Sequence, residues 1–184
     1  MPSNTSLKGT STTTRAIRIA KSVDRILEVE AKKRNISVNG LISSVLTKFA
    51  EWDRYADELR LVTLPTQIVR KLTELTSEDL IAKAGAELGP ELLTSEVIFW
   101  YEKVTLETFL EWLTLISKYN RLLSIQITKT DGDYVIVARH DLGKKCSLFL
   151  KNYFESGLKA RLGIAPSIEM SEFQVSFRLR NVPT

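Results

Sequence analysis

The chain has 184 residues, 43% hydrophobic and 26% charged, as expected of a water-soluble globular protein with one or two small domains. Eight glycines and five prolines are too few for a collagen-like or linker-like chain. Apolar runs such as Val97-Ile98-Phe99-Trp100-Tyr101 fall far short of the ~20 residues of a membrane span, so no membrane partner is expected. The opening Met-Pro-Ser-Asn-Thr-Ser has no basic start leading into an apolar stretch, so no secretory leader is expected. The single cysteine, Cys146, rules out an intrachain disulfide, and a cytoplasmic location is the simplest expectation.

The net charge is +4, and its placement is uneven. Residues 1–56 hold ten Lys and Arg against five Asp and Glu, whereas the remainder holds 16 against 17. The entire cationic excess therefore sits in the first third, the electrostatic footprint of a segment that binds a polyanion.

Residues 1–13, rich in Ser and Thr, read as a disordered arm in which Lys8 offers a phosphate contact. Thr14 to Ala20 is a strand candidate, with Ile17 and Ile19 on one face and Thr14, Ala16 and Arg18 on the other. From Lys21 a helical pattern follows, with Val23, Ile26, Leu27 and Ala31 at helical spacing and Asn35 suited to end it. Ser37 then suits an N-cap, and Leu41, Ile42, Val45, Leu46, Phe49 and Trp52 form the apolar face of a second helix reaching about Arg54. One strand and two short helices bury little surface alone, so the composition of this segment predicts a dimer.

The stretch Arg15 to Trp52 resembles the Arc/MetJ/CopG superfamily of ribbon-helix-helix proteins. The resemblance is carried by Arg18 at the strand end, Lys21-Ser22-Val23 opening one helix, and Ile36-Ser37-Val38-Asn39-Gly40 opening the next. It covers about a quarter of the chain. It implies a homodimer whose two strands pair antiparallel and enter the major groove of double-stranded DNA. Thr14, Ala16 and Arg18 would then face base edges, with Arg18 able to grip guanine bidentately. Ala16 departs from the polar residue often found in mid-ribbon, which favours backbone gripping over base reading. Lys21 and the helix start at Ser37, Val38 and Asn39 would hold phosphates, because free N–H groups and a partial positive charge gather there.

Beyond the expected DNA-binding domain at 14–56, residues 57–103 read as a helical connecting region. A helix is predicted from Gln67 to Leu75, and another from Asp79 to Leu88, stopped by Gly89-Pro90. Residues 104–184 read as an α+β domain with a small antiparallel sheet. Its elements are a buried helix at Leu106–Tyr119, a hairpin turning at Asp131-Gly132, a helix from about Gly143 to Leu162, and strand from Ser167 to Arg180 with a bulge or tight turn at Ser171-Glu172. The expected fold class is thus α+β, a dimeric β-α-α module followed by helices and an α+β domain.

Two constellations carry other possibilities. His140, Asp141 and Cys146 hold metal- or thiol-type groups, but the spacing matches no zinc pattern, and Cys146 falls on a helix where a core position is expected. Trp100, Tyr101, Phe109 and Trp112 suit a core or a ligand pocket. No catalytic residue, metal or cofactor is expected. The sequence reading is a homodimeric DNA-binding transcription regulator whose C-terminal domain binds a small ligand or protein or extends oligomerisation. Its alternatives are an antitoxin-like protein with a partner-binding tail and a metal or thiol enzyme.

Overall fold

The computed structural model of the protein describes residues 12–55 and 58–180. They divide into an N-terminal unit ending at Thr63 and a C-terminal unit beginning at Leu64.

The N-terminal unit is helical. Helix α1 spans Lys21–Lys33, and Asn35 takes the left-handed conformation at φ 54° that ends it. The amide of Ile36 donates back to the Ala31 carbonyl at 3.1 Å, closing the turn. Ser37 caps helix α2, Val38–Glu51, its hydroxyl accepting from the Gly40 amide at 3.0 Å. A 3₁₀ turn at Asp53–Tyr55 follows, where Lys48 pairs with Asp53 at 2.6 Å and Arg54 lies over the Tyr55 ring. Among the described residues only Ala31, Leu41 and Tyr55 form the buried apolar set of this unit.

The expected ribbon is not formed. Residues 12–20 belong to no strand, the described chain enters α1 as its first regular element, and the one sheet among the described residues lies in the C-terminal unit. The β-α-α module and the ribbon-helix-helix resemblance are therefore corrected to a pair of helices. Alternation of Ile17 and Ile19 can suggest a strand, but a strand needs a neighbour for its N–H and C=O groups, and among the described residues this segment has none.

The C-terminal unit is α+β. Helix α3, Thr66–Leu75, has its last carbonyls held by Lys145, whose Nζ donates to Glu74 O at 2.8 Å and Thr76 O at 2.6 Å. Helix α4 runs from Glu78 to Tyr101, capped by Ser77. The stop expected at Gly89-Pro90 is absent, and the helix continues through Pro90. The reason is its packing on α6, Lys144–Leu162. Gly85 and Gly89 of α4 and Gly157 of α6 let the two backbones touch: a Cβ on Gly85 would lie 2.5 Å from the Phe149 carbonyl oxygen, and one on Gly89 would lie 2.2 Å from that of Tyr153. Pro90 forfeits one helical hydrogen bond, while its carbonyl accepts from Thr94 Oγ1 at 2.5 Å and Arg161 Nε at 3.1 Å.

Helix α5, Leu106–Tyr119, opens on a reciprocal cap between Thr105 and Thr108. Strands β1, Ser124–Thr130, and β2, Asp133–Arg139, join through Asp131 (φ 51°) and Gly132 (φ 86°), the positive-φ pair of a tight hairpin. After α6, stopped at Gly163, β3 (Ser167–Met170) and β4 (Gln174–Leu179) form a second hairpin. The sheet is antiparallel in the order β1-β2-β4-β3, with Ile136 opposite Phe177 and Ala138 opposite Val175. These residues are fully buried, and Phe177 stacks on Phe154 of α6 at 4.8 Å between ring centres. Phe109 of α5 meets Phe154 edge-on at 6.4 Å, joining helices and sheet in one core.

The glycine crossing yields a stability prediction. Gly89→Ala forces a methyl group into the Tyr153 carbonyl and the Ser156 hydroxyl, and is expected to cost about 2 kcal/mol in chemical denaturation despite alanine's better helix propensity. An unchanged denaturation midpoint would show that the helices do not meet there.

Candidate nucleic-acid interface

The basic N-terminal unit presents its charge openly. Thr14, Ala16 and Arg18 are all exposed in the segment before α1, with no paired strand to array them on one face of a ribbon. Lys21 is the first residue of α1 and is exposed. Arg25 and Lys32 follow at positions that share its side of a helix, with Glu28 between them. Elsewhere on α1 and just beyond it, Glu30 pairs with Lys33 at 2.8 Å and approaches Arg34 at 3.8 Å. The Lys33 hydrogen bond and charge hold the Glu30 carboxyl below its usual range. Among the described residues Arg15, Arg18, Lys21, Arg25 and Lys32 enter no ion pair.

The start of α2 lies on the same unit. Ser37 satisfies the Gly40 amide. The amides of Val38 and Asn39, in the first turn, have no intrahelical acceptor and remain available to an anion. Val38 is half-buried and Asn39 exposed. The expected DNA-contacting residues Thr14, Ala16, Arg18, Lys21, Ser37, Val38 and Asn39 thus all fall on the N-terminal unit. Lys8 lies outside the described residues.

The same helices expose apolar side chains. Val23, Ile26 and Val29 of α1 stay 45–62% accessible, and Val45, Leu46 and Phe49 of α2 stay 55–59% accessible. Helical spacing identified an apolar stripe here; among the described residues only Ala31 and Leu41 of it are buried, and Leu27, Ile42 and Trp52 are half-buried.

No family model matches this sequence, and no curated protein does.

The C-terminal constellations resolve differently. Trp100, Phe109 and Trp112 are buried core, with Phe109 and Trp112 stacked at 6.0 Å. Cys146 is buried, and burial, aided by the Asp141 charge, pushes its thiol up to about 11, away from the thiolate a nucleophile needs. His140 is buried and hydrogen-bonded to Ser147 Oγ at 2.9 Å. Among the described residues no group of His, Cys, Asp and Glu is arranged to hold a metal ion, and no helix is long and apolar enough to cross a membrane.

A cavity of about 370 Å³, which no motif announced, lies beside the start of α6 and is lined by Arg70, Glu74, Glu78, Leu142, Lys144 and Phe173. Its cations are engaged. Lys144 lies 3.7 Å from Glu78, and Arg70 donates to the Asp141 carbonyl. Only the fold brings these residues together, since they come from three separated stretches of chain.

The cap at α2 can be tested directly. Ser37→Ala leaves the Gly40 amide without its acceptor and is expected to destabilise the N-terminal helices by about 1 kcal/mol, read as increased amide exchange at residues 38–41. Unaltered exchange there would show the cap to be idle.

Proposed function

We propose that the protein is a homodimeric, cytoplasmic DNA-binding regulator whose N-terminal helix pair supplies both the DNA-binding charge and the dimer surface. The observation that carries this reading is the row of exposed, unpaired cations Arg15, Arg18, Lys21, Arg25 and Lys32 on a segment whose neighbouring apolar side chains are also uncovered. Unpaired Lys and Arg gain by displacing the counterions condensed on double-stranded DNA, so the proposed contact is mainly to phosphates. The α2 start at Ser37, Val38 and Asn39 adds backbone donors to the same contact. Base reading has no paired strand to support it, and the proposal rests on backbone gripping.

The apolar faces of α1 and α2 supply the argument for self-association. Covering a half-exposed Val, Ile, Leu or Phe contributes on the order of 1 kcal/mol. A second copy presenting the same face buries these residues in matched pairs. The C-terminal unit, which has its own core, is proposed to sense a small ligand or bind a partner protein.

Two outcomes are expected. In fluorescence anisotropy with a duplex, log affinity should fall linearly with log salt. An Arg18→Ala, Lys21→Ala, Arg25→Ala triple variant should bind at least tenfold more weakly, with the slope reduced by about 3. Absence of salt-sensitive binding in the wild type at low ionic strength would remove the proposal. In sedimentation velocity, Phe49→Lys should convert a dimer to a folded monomer, whereas a wild-type monomer at micromolar concentration would rule out the proposed dimer surface.

A further inference from the structure

The only histidine lies in a closed chain of hydrogen bonds in the C-terminal unit. The Leu142 amide donates to His140 Nδ1 at 3.2 Å, so Nδ1 carries no proton and Nε2 must carry it. Nε2 then donates to Ser147 Oγ at 2.9 Å, leaving the Ser147 hydroxyl to donate to the Glu172 carbonyl at 3.3 Å. The His140 amide donates to the Phe173 carbonyl at 3.0 Å. Ser147 is fully buried. One neutral imidazole thus ties together the end of β2, the start of α6 and the β3–β4 turn, and Leu142, Glu172 and Phe173 of this linkage line the 370 Å³ cavity.

We propose that His140 is a proton-operated latch that holds the β3–β4 turn against the start of α6 when neutral and releases it when protonated. A second ring proton can only go to Nδ1, where it would confront the Leu142 N–H, donor against donor. That breaks the bond organising the loop, and the cavity wall at Glu172 and Phe173 loosens with it.

The charges around the ring set its balance. Burial disfavours the imidazolium and holds the group below its ordinary value of 6.5, while the neighbouring Asp141 carboxylate pulls the other way. Asp141 is itself shared with Arg70 of α3, 3.9 Å away. From α6, Lys144 and Lys145 stand beside the same cavity and Cys146 stays a neutral thiol. Arg139 at the end of β2 is exposed toward Gln126, and Glu172 belongs to the turn itself. Because the folded state prefers the neutral ring, its contribution to stability is complete above about pH 6.5 and is lost as pH falls toward the folded-state value.

The test uses the full-length protein, where a single histidine gives one ring signal. Nuclear magnetic resonance at neutral pH should show the Nε2-protonated tautomer. Through the ring titration, exchange of the His140 and Leu142 amides, corrected for intrinsic rates, should accelerate at least tenfold with the same midpoint as the ring. His140→Gln, which cannot titrate but can still donate to Ser147, should give a flat profile over that range. Amides that stay equally protected through the ring titration would overturn the latch, as would an unchanged acceleration in His140→Gln, which would assign it to carboxylates such as the half-buried Glu96, whose burial raises its carboxyl. Should the variant not fold, coincidence or separation of the two wild-type midpoints decides alone.

Discussion

The C-terminal unit depends on a crossing of two helices at glycine. At Gly85 and Gly89 the backbone of α4 meets the backbone of α6 at Phe149 and Tyr153, with Gly157 answering from the other side. No residue with a side chain fits at that distance. The approach fixes α6, and α6 in turn positions Phe154 against Phe177 of the sheet and Phe109 of α5. Its start carries Lys145 to the end of α3 and Ser147 to His140. Stability, the α3 cap and the His140 linkage therefore share one geometric origin.

The N-terminal unit is built on the opposite principle. Its buried apolar set among the described residues is three side chains, and much of its hydrophobic stripe is left uncovered. A helix pair so poorly filled gains stability by covering that stripe. Some of its cations are paired, Lys33 and Arg34 with Glu30 and Lys48 with Asp53, but among the described residues Arg15, Arg18, Lys21, Arg25 and Lys32 enter no ion pair. Both surpluses, apolar and cationic, are exposed, and in the proposed regulator they form the two halves of one interface.

Much of the helical and hairpin structure was legible because its signals are local. Asn35 ends α1 and Ser37 caps α2 through their own backbone neighbours, Asp131-Gly132 needs only its positive φ angles, and Leu106–Tyr119 has an apolar pattern that admits little but a buried helix. The errors lie where long-range partners decide. Thr14 to Ala20 alternates like a strand yet pairs with no strand among the described residues, so the expected ribbon is not formed. Gly89-Pro90 carries a local stop signal, overridden by close packing on a helix more than 50 residues away. The cavity and the His140–Ser147–Glu172 chain were hidden for the same reason, since Glu172 and Arg70 reach His140 and its loop only in the folded unit.

DNA contact and dimer contact are both proposed to belong to the N-terminal helix pair. Hydrogen exchange of the full-length protein, with and without a saturating duplex at low salt, tests it most directly. New protection on adding DNA is expected to be confined to the span from about Arg15 to Gly40, while α4, α6 and the sheet exchange as before. Protection centred on the C-terminal unit, or none under conditions of measured binding, would contradict it.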